Sequence, residues 1–244
     1  MSGKTWPPTP EPPVLAPVPL RDVLPQDVCW AETPVPMPRH PALLPAEEAA
    51  AAGSYPDRYQ DFIAGRGCAH RAMAGLGVVG ARRLPVLRGD HREPLWPRGV
   101  VGSITHRAGY CAAAVARRRR FAGIGIDAEL AEPLPAEVVR DICTPAERAW
   151  LRAHTDDGIP WETVLFSAKE SLYKAWFPLA GSWLDHRDAE LIPDPADRTL
   201  RVRLAAPHRE RLARYGTPHC TFAVRGSYIA TCVTFPAREG RYSR

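Results

Sequence analysis

Ten residues, Phe121–Leu130, constrain this chain more than any other stretch: F-A-G-I-G-I-D-A-E-L. Extended backbone sends successive side chains to opposite faces. As a strand, the segment puts Ile124, Ile126, Ala128 and Leu130 on one side and Gly123, Gly125, Asp127 and Glu129 on the other. The first side is a core face. The second sets two carboxylates side by side, next to two glycines that clear space for a ligand. Like charges so close repel unless a cation lies between them or one is protonated. Oxygen donors with room for waters and phosphate oxygens suit Mg²⁺ rather than zinc. An edge strand ending in a polar turn accounts for the same residues, and the strand alone does not choose.

A second stretch also has two faces. After the break Gly158-Ile159-Pro160, residues Trp161–Trp176 read as a helix that Pro178 ends. At about 100° per residue, Trp161, Val164, Leu165, Ala168, Leu172, Ala175 and Trp176 form one apolar stripe. Glu170 and Lys174 lie opposite, flanked by Phe166 and Tyr173. Solvated helix faces seldom carry an aromatic pair beside their charges, so this face is expected to be covered as well. Among 32 basic side chains only Lys4, Lys169 and Lys174 are lysine, so two of the three flank Glu170. Lysine is a compact charge with a tunable pKa, which distinguishes it chemically from arginine. An ordinary Glu–Lys helix pair explains the same spacing.

The rest of the chain supplies basic groups and mixed secondary structure. Ala46–Ala52 and Tyr55–Leu76 read as helices, the second ending in Gly75 and Gly77, with Tyr59, Phe62, Ile63, Cys68, Ala69, Ala72 and Met73 on its buried side. Arg58, Arg66 and Arg71 then point elsewhere, to water or to phosphate. Arg82–Pro97 reads as loop, and Gly102–His106 leads small and hydroxyl residues into a histidine, donors that an anionic ligand would need. Val23–Ala31 and Tyr110–Ala116 read as strands, with Arg117–Arg120 as a solvated turn rather than a nucleic-acid patch. Thr144-Pro145-Ala146-Glu147 is a capping box opening a helix through about His154. Thr199–Ala205, Cys220–Val224 and Tyr228–Phe235 are strands, the last two joined by an Arg225-Gly226-Ser227 hairpin. The pattern predicts an α+β fold, and no repeat is visible in the sequence.

Composition excludes several classes. The chain has 244 residues, 45% hydrophobic and 24% charged, which is globular rather than disordered. Its net charge of +5 favours an acidic or phosphorylated partner without demanding nucleic acid. Six scattered cysteines lack the spacing for zinc and read as reduced thiols of a cytoplasmic protein. No apolar run is long enough to span a membrane. Thirteen of the 27 prolines fall in residues 1–45, so residues 1–20 read as a loose Pro-rich extension.

The two central stretches together carry a resemblance. G-I-D-A-E followed by F-S-A-K-E-S-L-Y-K-A-W resembles the paired signature of the 4′-phosphopantetheinyl transferase superfamily, and G-D-H-R-E-P-L-W-P-R-G-V-V-G-S-I-T-H resembles an upstream motif of its single-chain branch. That branch is related to the surfactin and enterobactin activators, nearest to the actinobacterial enzymes of polyketide, mycolate and siderophore synthesis. The resemblance covers about Tyr55 to Leu184. It implies two similar α/β halves related by a pseudo-twofold, residues 21–120 and 121–244, with coenzyme A in the cleft between them. The reaction it implies moves 4′-phosphopantetheine from coenzyme A to a serine of an apo acyl, peptidyl or aryl carrier protein, leaving adenosine 3′,5′-bisphosphate.

The same resemblance implies roles by position. Asp127, Glu129 and Glu170 hold Mg²⁺, or Mn²⁺ in its place, with the Ala128 carbonyl close by. Glu170 is the base for the carrier serine, directly or through a water, with Asp127 and Lys174 completing the catalytic set. Lys174 neutralises the diphosphate with Lys169 nearby. Arg58, Arg66, Arg88 and His106 receive the 3′-phosphate and adenine side, assisted by Thr105 and the loop Gly89, Asp90, His91. Tyr173 and Leu184 line the pantetheine channel. A monomer is implied, with no nucleic-acid or membrane partner. Two other classes remain open to the residues alone. Paired carboxylates with lysine also describe a Mg²⁺-dependent nuclease or phosphohydrolase, and Arg117–Arg120 with the basic C-terminus a nucleic-acid binder whose affinity falls steeply with salt.

Overall fold

The computed structural model describes residues 18–35, 41–52, 55–107, 109–155 and 158–237, so the extension before Val18 lies outside the described residues. Alternation along two consecutive strands sets the layers. In β5 (Tyr110–Arg117), Ala112, Ala114 and Ala116 face one way and Cys111, Ala113 and Val115 the other, and all six are fully buried. In β6 (Phe121–Leu130), Ile124, Ile126 and Ala128 meet the first alanine row. The opposite side of β5 packs on α3 (Pro56–Gly75), through Cys68, Ala69, Ala72 and Met73. Small side chains on the facing strands let the two sheets approach closely.

The order through the molecule follows from these faces. First comes α3, then a sheet β1-β5-β4 made with β1 (Val28–Pro34) and β4 (Val100–Arg107). Next is a sheet β6-β10-β9-β8-β7, with β7 (Ala189–Asp194), β8 (Thr199–Leu204), β9 (His219–Arg225) and β10 (Tyr228–Pro236), and last α6 (Trp161–Ala180). All pairings are antiparallel. The fold is α+β, and each half lays a 20-residue helix on an antiparallel sheet.

The halves are not cleanly separate along the chain. The short α1 (Leu20–Val23) packs on the second sheet, where Leu20 and Val23 join Ala223 and Cys232 and Thr221 Oγ1 donates to the Val23 carbonyl at 2.8 Å. The strand expected at Val23–Ala31 therefore starts only at Val28. Residues 82–97, read as loop, contain a small hairpin of β2 (Leu87–Arg88) and β3 (Pro94–Leu95). Four further elements had no sequence expectation: β4, α4 (Ala136–Ile142), β7 and α7 (Ala206–Tyr215). In the Arg117–Arg120 turn, Arg117 donates to the Leu76 and Gly77 carbonyls at the end of α3, and Arg120 pairs with Asp27.

Helix α6 differs from expectation at two points. It continues through Pro178 to Ala180 and stops at Gly181, whose φ of 60° is the left-handed cap. Pro178 lacks the N–H for one bond of the last turn, a cost that burial of the helix offsets. The seven residues of the expected apolar stripe are all buried, and the largest, Trp161 and Trp176, each remove about 150–250 Å² from water. The second difference concerns the glycines of β6. A Cβ at Gly123 would lie 2.8 Å from the Ala175 carbonyl oxygen, and one at Gly125 would overlap that of Ser171. They make room for the backbone of α6, not for a ligand.

A repeat hidden in the sequence emerges in three dimensions. Pro45-Ala46-Glu47 opens α2 (Pro45–Ala51) as Pro145-Ala146-Glu147 opens α5 (Pro145–Arg152). Each glutamate is buried and folds back on its own N-cap, accepting from Leu44 N at 3.1 Å or Thr144 N at 2.7 Å. Each also accepts a distant backbone N–H, from Val86 at 2.9 Å or Leu191 at 2.7 Å. Each finally meets a cation-forming group on the following long helix. His70 of α3 lies 2.9 Å from Glu47, and Lys169 of α6 lies 2.7 Å from Glu147. Burial alone would raise the Glu47 carboxyl, but hydrogen bonds from His70, Val86 and Leu44 outweigh it and hold it below the usual range. Only the second box has a side-chain acceptor at its N-cap, Thr144, because leucine has none.

Lys169 is therefore a structural group. Its ammonium donates to Glu147 Oε2, the Ile142 carbonyl and the His186 carbonyl, each at 2.7 Å, which uses all three of its protons. Removing one partner of a buried pair leaves an uncompensated charge. Lys169→Met is expected to lower unfolding stability by about 3–5 kcal/mol in a denaturant titration; a change under about 1 kcal/mol would contradict the assignment.

Candidate active site

The alternation of β4 divides the site. Thr105 and Arg107 face β6, whereas Ile104 and His106 face α3 and the cleft beside it. Thr105 Oγ1 donates to Asp127 Oδ1 at 3.1 Å and accepts from the Ala128 N–H at 3.2 Å. Arg107 Nε lies 2.7 Å from Glu129 Oε2. Thr105 therefore supports the carboxylates of β6, instead of assisting His106 on the nucleotide side as the sequence suggested. Neighbours in a strand cannot share a face.

Asp127 is the most enclosed carboxylate of the group. Lys174 Nζ donates to its Oδ1 at 2.6 Å and to the Ile126 carbonyl at 3.3 Å. Its Oδ2 is buried without any partner. Beside it, burial and the charge of Asp127 push the Glu129 carboxyl up to about 7, against the pull of Arg107 and Lys174; Glu170 adds a smaller push. Glu170 Oε1 instead accepts from His186 Nε2 at 3.1 Å, and that bond holds its carboxyl below the usual range. The helix pair that the spacing of Glu170 and Lys174 permits is thus replaced by other partners for each.

These residues suit a hard cation. Among the described residues no three His, Cys, Asp or Glu side chains converge as a ready-made metal centre. The fit rests on the donors. One buried carboxylate oxygen lacks a partner, and the adjacent carboxyl resists ionising because it is buried beside the charge of Asp127, which a cation there would offset. Ala128 gives its N–H to Thr105, and the N–H and C=O of a strand residue share an edge, so its carbonyl faces the same side.

On the other side of β4 lies a cleft of ≈ 790 Å³. It gathers four of the residues expected to meet the nucleotide, Arg58, Arg66, Arg88 and His106, together with Arg92, Tyr55 and Phe62. Arg66 is anchored by Val86 O at 2.6 Å and stands 4.0 Å over the Phe62 ring, with Arg88 at 5.0 Å. Burial pushes the Arg66 guanidinium down to about 10. Arg92 sits at φ 69°, in the turn of the β2–β3 hairpin.

That turn departs from its expected role. The Gly89 N–H donates to the Glu93 carbonyl at 2.8 Å and the His91 N–H to Glu93 Oε2 at 3.0 Å, so neither is free for a phosphate. Asp90 is exposed. The His91 ring reaches across to α6, packing edge-on against Phe177 and Trp183. A second pocket of ≈ 390 Å³ is lined by Glu170, Tyr173, Trp183, Leu184 and His186. Tyr173 and Leu184 thus share one pocket, and its wall covers the aromatic face of α6: Trp183 stacks on Tyr173 and His186 on Phe166. His186, Arg107 and Trp183 had no sequence expectation. The adjacency of Arg107 to His106, on a strand facing two carboxylates, was the available signal for Arg107.

Comparison with known proteins decides the family. Residues 46–116 match the 4′-phosphopantetheinyl transferase N-terminal domain and residues 123–233 the 4′-phosphopantetheinyl transferase superfamily. The chain belongs to the 4′-phosphopantetheinyl transferase superfamily. It is 39% identical over 202 residues to the 4′-phosphopantetheinyl transferase Npt of Nocardia iowensis, covering 78% of this chain and 88% of the relative. It is 45% identical over 167 residues to the transferase Svp of Streptomyces mobaraensis, covering 68% of this chain and 67% of the relative. Among solved structures, the acyl carrier protein synthase of Mycobacterium tuberculosis is 32% identical with a TM-score of 0.37, over 48% of this chain and 99% of that one. The chain is an enzyme of this family. It transfers 4′-phosphopantetheine from coenzyme A to a serine of an apo carrier protein, giving the holo form and adenosine 3′,5′-bisphosphate. The hydrolase alternative is thereby set aside. No helix among the described residues is long and apolar enough to cross a membrane.

The raised Glu129 carboxyl has a measurable consequence in metal-free protein. Between the ordinary carboxylate range and about 7 the folded state holds a proton that the unfolded state has released. Stability is therefore fully present below about 4.5 and falls as pH rises towards 7. Glu129→Gln is expected to flatten that fall in denaturant titrations at successive pH values, and an unchanged slope would exclude Glu129 as its source.

Proposed function

We propose that the arginine cleft holds the nucleotide and 3′-phosphate of coenzyme A, while the carboxylates of β6 and α6 serve the diphosphate and the incoming serine. The observation that carries this reading is the division made by β4. Arg58, Arg66, Arg88, Arg92 and His106 line one side, and Asp127 with Glu129 stand on the other. A donor that carries a 3′-phosphate, a diphosphate and an apolar arm needs those environments in that order. The second pocket, with Tyr173, Trp183 and Leu184, suits the pantetheine arm.

Asp127 and Glu129 would hold Mg²⁺, with Mn²⁺ able to replace it, beside the Ala128 carbonyl and within reach of Glu170. A divalent ion supplies charge neutralisation on the phosphoryl oxygens. Thr105 fixes the Asp127 carboxylate so that its free Oδ2 is presented. Lys174 is poised between Asp127 and the cleft and offers its remaining proton to the diphosphate. Glu170, kept ionised by His186, takes the proton of the serine hydroxyl. The serine oxygen bonds to the phosphorus next to pantetheine, the bridging P–O bond breaks, and adenosine 3′,5′-bisphosphate departs with the electron pair. The net charge of +5 suits an acidic carrier protein. We assign the enzyme to the cytoplasm as a monomer, and its six free cysteines support that compartment.

Asp127→Ala and Glu129→Ala are each expected to abolish Mg²⁺-dependent transfer while circular dichroism stays that of wild type. The assay incubates enzyme, coenzyme A, Mg²⁺ and an apo carrier protein and looks by mass spectrometry for one added phosphopantetheine. Wild-type turnover in either variant would sink the metal assignment. Glu170→Gln is expected to lower kcat by about 10²-fold or more while the Kd for coenzyme A stays within about twofold. A loss confined to coenzyme A binding would remove Glu170 from the role of base.

A further inference from the structure

We propose that His186 is a positioning residue that turns Glu170 away from the Asp127–Glu129 pair and presents it to the carrier serine. The proposal rests on the reading of Glu170 as base given above. Of the three carboxylates at the site, Glu170 alone has its hydrogen bond outside the β4–β6–Lys174 cluster. Its partner is His186 Nε2, at 3.1 Å from Oε1. An ionised carboxylate only accepts, so the imidazole donates.

Three attachments aim that single N–H. The backbone of His186 sits in a one-turn 3₁₀ helix capped by Asp185, whose Oδ1 accepts from Arg187 N at 3.0 Å. The His186 carbonyl accepts from the buried ammonium of Lys169 at 2.7 Å, so the pair that stabilises the C-terminal half also fixes this turn. The ring stacks on Phe166, with centroids 5.9 Å apart and planes 12° from parallel. Phe166 and Glu170 are four residues apart on α6, so the ring lies along the helix surface with Nε2 at the carboxylate. A surface ion pair formed by two free side chains gains little because both must be ordered. Here the donor is ordered in advance.

The consequence is a division of labour along one helix. Lys174 reaches to β6 and joins Asp127, while Glu170, one turn earlier, is held at the wall of the 390 Å³ pocket with Tyr173, Trp183 and Leu184. A carboxylate released from His186 could swing to the two acids of β6 and become a third metal ligand. Held by His186, it keeps its oxygen for the serine proton. His186 thus sets whether this side chain serves the proton or the metal.

The test uses three variants of the full chain. His186→Phe keeps the stack on Phe166 and removes the donor, His186→Leu removes both, and His186→Gln keeps an N–H at about the reach of Nε2. Comparison is made on whichever donorless variant retains wild-type circular dichroism. The donorless variant should lose about tenfold in kcat, with KM for coenzyme A within about twofold. Without coenzyme A it should bind Mn²⁺ about three- to tenfold more tightly by electron paramagnetic resonance, because Glu170 joins Asp127 and Glu129. His186→Gln should return both values towards wild type. Unchanged kcat, unchanged or weaker Mn²⁺ binding, or a Gln variant as impaired as the donorless one would each overturn the proposal. Wild-type protein that bound no Mn²⁺ would overturn the metal reading along with it, whereas normal wild-type binding that ignores His186 overturns this proposal alone.

Discussion

The structure depends on how closely the backbone of α6 approaches β6. The carbonyl of Ser171 fills the space where a side chain of residue 125 would stand, and that of Ala175 crowds residue 123. Hydroxyl groups tie the helix to the next strand: Ser167 and Ser171 both meet Thr231 Oγ1, at 2.9 and 2.7 Å. This buried network has no charge to neutralise and little freedom, so it specifies position more than it adds stability. Lys174 lies one turn beyond Ser171. Its ammonium can bridge Asp127 Oδ1 and the Ile126 carbonyl only because the helix lies that low on the strand. Two glycines thus set the distance between Lys174 and Asp127, which no charged residue sets by itself.

A second constraint is duplicated. Glu47 and Glu147 each join a helix N-terminus, an extended segment and the next long helix, using two carboxylate oxygens that both only accept. The copies are not equal. Glu147 has lysine, an ammonium with all three protons placed, whereas Glu47 has one ring nitrogen of a histidine. The stronger copy lies in the half that carries Asp127, Glu129, Glu170 and Lys174. The weaker lies in the half that supplies the arginine cleft. Rigidity is thus concentrated beside the cluster of close charges, and on the proposed reading of the arginine cleft as the nucleotide site, that cleft tolerates more adjustment.

Much of this was legible in the sequence because it was periodic or chemically unusual. Strand β6 and the seven-residue stripe of α6 follow directly from period 2 and period 3.6, and the arginines of α3 follow from what its apolar face leaves over. The failures share a cause: a residue type has several uses and only tertiary contacts select among them. Gly123 and Gly125 read as space for a ligand, but a helix needed the same space. Lys169 and Lys174 looked like a pair, yet five residues along a helix turn one into the core and the other to the strand. Thr105 and His106 were grouped by adjacency although alternation separates them. The repeat of Glu47 and Glu147 rests on three shared letters 100 positions apart, and its meaning lies in partners such as Val86 and Leu191 that share no letter at all.

The carboxylates at the centre each have one basic partner: Asp127 has Lys174, Glu129 has Arg107 and Glu170 has the His186 ring nitrogen. The couples are unequal. Lys174 and Arg107 belong to the β4–β6–α6 cluster, and on the proposed reading an anionic diphosphate would compete for each. A carboxylate that gives up its cation to such a ligand needs another positive charge, and the raised Glu129 and the unpartnered Asp127 Oδ2 mark where the deficit falls. Donor and metal would therefore favour each other's binding, since each relieves the charge that the other exposes. Glu170 depends least on that exchange, because His186 is its first stabilising partner. Its main partner is fixed by Lys169 and Phe166, away from the cleft, while Lys174 adds a smaller stabilising pull on the Glu170 carboxylate. On the proposed reading of Glu170 as base, a main partner held away from the cleft keeps it ionised while the neighbouring charges are rearranged.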